Sequence, residues 1–207
     1  MIPINLAAED LLSEAVLRRL LEDSSRSYFV GTCYMHHGFG YLKRTIKGFN
    51  NAAKGTPFLV LTDLDTGECP PVLVRDWLPI PRHPNLLFRV AVHEVESWLL
   101  ADAVGLAQFL RVRAARIPRD VEGIPEPKRF LIQLASGSPN RQFVQDIVPA
   151  PGDTSVQGPN YNARLEQFVR ESWSPKRAAA RSPSLRRTVE RIRSFNPIYG
   201  LRSGRNR

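Results

Sequence analysis

Phe58-Leu59-Val60-Leu61-Thr62-Asp63-Leu64-Asp65-Thr66-Gly67 reads as a strand that ends in two acids. Four apolar residues in a row, with Gly55 and Pro57 before them and Asp, Thr and Gly after, predict a strand buried on both faces, as in a parallel sheet. If the extended geometry persists, Asp63 and Asp65 point the same way, because side chains alternate with period two. Two carboxylates then share one small volume at the carboxyl edge of the sheet, where open α/β folds place their ligands. Their repulsion needs a proton or a cation between them, and Mg²⁺ suits such a donor set. The plainer alternative is that these aspartates terminate the strand and cap the next segment.

Upstream, Ile2 to Ala8 is a short apolar strand, and Leu12, Val16, Leu17, Leu20 and Leu21 mark an amphipathic helix after it. Glu9 thus stands at another strand-to-helix corner. Tyr28 to Met35 predicts a second strand, leading into His36-His37-Gly38-Phe39-Gly40. Gly38 and Gly40 permit a tight turn, the favoured reading, or a close approach to phosphate, and the adjacent His36 and His37 diverge on any regular element, so they make no metal pair. Tyr41 to Ala53 reads as a helix with Leu42, Ile46 and Phe49 inward and Lys43, Arg44 and Lys47 outward.

Downstream, Val72 to Leu78 predicts a short helix entered through Pro71. Leu86 to Val92 is a fourth strand and runs into His93-Glu94-Val95-Glu96-Ser97-Trp98-Leu99-Leu100-Ala101-Asp102, where the period becomes helical. Strands alternating with helices specify a parallel α/β sheet, whose connections would gather Glu9, Asp63, Asp65 and Glu94 or Glu96 along one edge. Glu94 has a second reading as a cap for the helix that follows.

The expected organisation is an α/β domain over 1–102, a basic, mostly helical extension over 103–199, and a disordered tail over 200–207. Ala103 to Leu110, Pro127 to Leu134, Ala163 to Trp173 and Leu185 to Phe195 predict helices, and Ser136 to Asn162, rich in Gly, Pro, Asn and Ser, predicts a long loop. Cys33 and Cys69 form neither a disulfide framework nor a ligand pattern, and Cys33 reads as a core residue. With no leader-like or membrane-length apolar run, a cytoplasmic protein is expected.

The chain carries 29 Lys or Arg against 20 Asp or Glu, a formal charge of +9. From Arg111 onward the balance is 19 to 8, and before it 10 to 12, so an acidic-site half is joined to a basic half. That asymmetry favours a polyanionic partner, DNA or RNA. Arg186, Arg187, Arg191 and Arg193 form the basic side of the last helix and, with Lys43, Lys128 and Arg129, are the candidate phosphate contacts.

The order of these motifs resembles the Toprim catalytic fold of topoisomerases, DnaG-type primases and the OLD (overcoming lysogenisation defect) nucleases. More closely, the string Val92 to Asp102, followed by Pro127-Lys128-Arg129 and Ser182-Pro183-Ser184-Leu185-Arg186, is similar to a family of small Toprim-like proteins of undefined function. Its members tend to be encoded beside an ABC-type ATPase in bacterial anti-phage loci. The resemblance implies that Asp63 and Asp65 hold Mg²⁺ or Mn²⁺, that Glu96 completes the site, and that Glu9 is a ligand or general acid-base. It also implies nuclease activity and an ABC-type ATPase partner. Asp10 stands where Toprim proteins usually have Gly. Two other readings remain: a non-catalytic Toprim-like scaffold that binds the ATPase, and a haloacid-dehalogenase-like phosphatase, which also uses Asp-x-Asp after a buried strand.

Overall fold

The computed structural model describes residues 1–35 and 40–199. The apolar run ending at Asp63 is strand β3 (Phe58–Asp63), and it lies inside the sheet. On one side it pairs with β1 (Ile2–Ala8), which pairs in turn with β2 (Tyr28–Met35); on the other it pairs with β4 (Leu86–Ala91). The order is β2-β1-β3-β4 and every pairing is parallel, so the protein is an α/β fold with helices on both faces of the sheet.

Alternation along β3 sorts its side chains between two cores. Phe58 and Val60 join Leu86 and Phe88 beneath α2 (Tyr41–Ala52), whose Leu42, Ile46 and Phe49 are buried as the spacing predicted. Leu59 and Leu61 join Ile4, Leu6 and Leu87 on the opposite face, against α1 (Leu11–Glu22) and α4 (Val95–Ala101). The short helix α3 (Pro70–Trp77) begins at consecutive prolines, which set its first turn.

The later helices are α5 (Ala103–Leu110), α6 (Pro127–Ser136), α7 (Arg141–Ile147), α8 (Tyr161–Glu171), α9 (Pro175–Ala179) and α10 (Pro183–Arg193). Leu106, Leu131, Ile147, Phe168, Ala178 and Leu185 share one buried cluster with the sheet face that carries α1 and α4. Seven consecutive residues of α4 are buried, so this helix is enclosed all round.

Expectation and structure part in three places. The segment 136–162 is not one long loop: Asn140 caps α7 by accepting from the Gln142 amide at 3.0 Å, and Ile147 is fully buried. Asp146 then gathers Gln142, Asn160 and Arg164, tying the rest of the segment to α8. The helix α9, unforeseen in the sequence, starts from the Ser174 cap and Pro175. Cys33 packs against the core but is only half-buried, because β2 is an edge strand with one open side. His36, His37, Gly38 and the tail 200–207 lie outside the described residues. Among the described residues no helix is long and apolar enough to cross a membrane.

Candidate functional site

Each of the four predicted acids stands at or just beyond the carboxyl end of a strand. Glu9 follows β1, Asp63 ends β3, Asp65 is two residues later, and Glu96 sits in the first turn of α4 after β4. A parallel sheet brings such corners together. Asp63 is the centre: Glu96, Asp10, Glu9 and Asp65 all act on it electrostatically. Burial foremost, and then those acids, hold its carboxyl well above the usual range. Its Oδ1 is buried without a hydrogen-bond partner.

The neighbours are held by distinct contacts. The Thr62 hydroxyl donates to Glu9 Oε1, which opposes the upward push that burial gives the Glu9 carboxyl. Glu96 is only 5% exposed. Burial lifts it to about 7, with Lys128 pulling down and Glu94 pushing up. The Tyr161 hydroxyl donates to Glu96 Oε1 at 2.9 Å. Lys128 places its ammonium 5.3 Å from the centre of the Tyr161 ring.

Extended geometry does not continue through Asp65, so the expectation that Asp63 and Asp65 project together is corrected. The strand ends at Asp63, and Asp65 adopts a left-handed conformation with φ 49°. Two backbone bonds draw the chain there toward the end of β4: Leu64 N–H donates to Ala91 O at 2.9 Å and Asp65 N–H to His93 O at 2.8 Å. His93 is left-handed too, at φ 56°, and its Nδ1 lies 3.3 Å from Asp65 O. Gly67 closes the turn by donating to Leu64 O at 2.8 Å, and a Cβ there would meet that oxygen at the same distance. Asp65 is consequently exposed, and its side chain faces a cavity of about 560 Å³.

Asp10 serves the fold, its Oδ1 accepting from the Ser13 amide at 2.7 Å as the cap of α1. Glu94 occupies the cap position of α4 without a capping bond from its side chain. It accepts instead from the Lys128 amide at 2.8 Å, so it secures the start of α6. Lys128 and Arg129 both line the cavity that Asp65 faces. The other predicted basic residues lie elsewhere. Lys43 is exposed on α2, Arg186, Arg187 and Arg193 are exposed on α10, and Arg191 donates to Pro84 O. No arginine of α10 is among the charges that act on Asp63 or Glu96.

The motif strings meet physically. Trp98 Nε1 donates to Ser184 Oγ at 2.7 Å. Glu122 gathers the Ser182 hydroxyl at 2.5 Å and the Ser184 amide and hydroxyl at 2.7 Å each. Asp102 caps α5 and takes a two-pronged ion pair from Arg177, both bonds 2.7 Å. Sequence reasoning missed Thr62, Tyr161 and Glu122. Thr62 was the one polar residue inside an apolar strand, which is a signal; Tyr161 lies 65 positions from Glu96 and carried none.

A carboxylate set around a buried, unpartnered aspartate oxygen suits a hard divalent cation. Among the described residues no three His, Cys, Asp or Glu side chains already stand as a metal-holding group. Compared with protein-family models, with curated proteins and with solved structures, the chain matches none.

Proposed function

We propose that this protein is a Toprim-type nuclease dependent on Mg²⁺ or Mn²⁺, acting on DNA or RNA. One observation carries the reading: Asp63, whose Oδ1 is buried without a partner, feels the charges of Glu96, Asp10, Glu9 and Asp65 at the carboxyl edge of a parallel sheet. Asp63, Asp65 and Glu96 would hold the cation, with Glu9 as a further ligand or acid-base. A bound cation would supply an activated water and stabilise charge on the phosphoryl oxygens. Lys128 and Arg129, which line the same cavity as Asp65, would take the phosphodiester. Tyr161 would fix the orientation of the Glu96 carboxylate. The proposed setting is an anti-phage system in the cytoplasm, with an ABC-type ATPase as partner.

The test is cleavage of plasmid DNA and of single-stranded RNA by the purified chain, alone and with any ABC-type ATPase encoded beside its gene. Activity that requires Mg²⁺ or Mn²⁺ and disappears in Asp63→Asn is expected. Cleavage indifferent to chelator or to Asp63→Asn would overturn the reading.

A second reading, a scaffold that binds the ATPase without cutting, draws on the unassembled state of the acids among the described residues. It expects Asp63→Asn to keep both ATPase binding and protection against phage.

A further inference from the structure

A cavity of about 700 Å³ lies away from the carboxylate cluster, between α3 and α10 along the free edge of β4. It shares no lining residue with the cavity at Asp65. Its lining includes apolar Leu78, Ile80 and Phe88 together with Arg82, Arg89 and Arg187.

Arg89 is the unusual member, a half-buried arginine on a sheet strand. Its Nε donates to Thr188 Oγ1 at 3.1 Å. Burial foremost, and then Arg82, Arg187 and Arg191 around it, push its guanidinium down to about 10. Among the described residues none of these four pairs with a carboxylate, and no acid lines the cavity. Arg75, also on the rim, is compensated by Asp76. Arg191 donates to Pro84 O, lies over the Phe195 ring and does not line the cavity, so it contributes field there.

Uncompensated guanidinium groups converging on a concave surface repel one another until an anion joins them, and their planar donor forks match phosphate oxygens. The apolar lining residues and the size exceed what inorganic phosphate needs, and the volume falls within the range of small-molecule sites. We propose that this cavity binds a phosphate ester of nucleotide size, its phosphate held by Arg82, Arg89 and Arg187 and its base resting on Leu78, Ile80 and Phe88. This site does not depend on the nuclease reading.

The test is titration of the intact chain with ADP, and separately with inorganic phosphate, in chelator so that no metal bridges nucleotide to the acids. One saturable ADP site is expected, with phosphate weaker at the same site. Arg82 and Arg187 are exposed, so the double variant Arg82→Ala/Arg187→Ala keeps the fold and should weaken ADP by at least about tenfold. Asp63→Asn should leave ADP binding unchanged. Absence of saturable ADP binding, or unchanged affinity in the double variant at wild-type melting temperature, overturns the proposal. So does binding confined to oligonucleotides, which would make these arginines backbone contacts.

Discussion

The Tyr161 hydroxyl reaches across 65 positions of sequence to donate to Glu96 Oε1, so a residue of the basic half sets the orientation of an acid in the acidic half. Both groups are buried, and the bond favours the ionised Glu96. Tyr161→Phe should cost about 1 kcal/mol of stability. It should also raise the pH at which Glu96 ionises, measured from the pH dependence of melting in the wild type and the variant.

Divalent metal should stabilise the folded chain, because only that state brings the acids to one edge of the sheet. Mn²⁺ at a hundredfold excess over its dissociation constant should raise the melting temperature by roughly 5–10 °C. Asp63→Asn should abolish the rise and, without metal, melt above the wild type, since it removes a carboxyl whose ionisation the fold opposes through burial and neighbouring acids. An equal response to metal in this variant would remove Asp63 from the site.

The pH dependence of the metal-free protein has a definite sign. Glu96 ionises near 4.5 when unfolded and near 7 when folded, because burial outweighs the pull of Lys128 and Tyr161, with Glu94 adding to the upward push. Between those values the folded state keeps a proton that the unfolded chain releases. Stability from this group is therefore full below about pH 4.5 and lost as pH rises through about 7, a change of about 3 kcal/mol. Asp63 and Glu9, both raised, act in the same direction. Glu96→Gln should flatten the decline, as read by denaturant titration at pH 5 and pH 8 in chelator.

Asp102 joins the two halves through Ser174 and Arg177. Its side chain is fully buried, whereas that of Arg177 is half exposed. Asp102→Ala should cost roughly 3 kcal/mol, the low end for losing one partner of a buried ion pair. Urea unfolding measures it, and a smaller loss in Arg177→Ala is expected.

If α10 contacts a nucleic-acid backbone, DNA affinity should fall by about 0.9 log units per log unit of salt for each phosphate neutralised. Alanine at Arg186, Arg187, Arg191 and Arg193 should flatten that slope. An unchanged slope would take this helix out of the nucleic-acid interface.

The sheet was legible because its strands are short apolar runs, each followed by acids or turn residues, and local pattern suffices for that. Leu42, Ile46 and Phe49 of α2 were legible for the same reason: one face, one period. The loop at Asp65 was not, because what bends it is a pair of hydrogen bonds to Ala91 and His93, partners some 27 residues on. Likewise α7 hid in a stretch rich in Pro and Asn, where a single cap and one buried isoleucine decide the outcome. The sheet-edge positions of Glu9, Asp63, Asp65 and Glu96 could be read from the sequence. Their supports Thr62 and Tyr161 depend on where the chain returns in space, which composition does not encode.

The paired left-handed residues Asp65 and His93 make the loops after β3 and β4 a single linkage. Asp65 is bonded to His93, His93 is covalently joined to Glu94, and Glu94 grips the first turn of α6 through the Lys128 amide. Displacing Asp65 therefore moves a lever whose far arm is a helix on the outside of the molecule. A ligand that drew in the Asp65 carboxylate would be felt there, at a surface another protein could touch, without any change in the sheet.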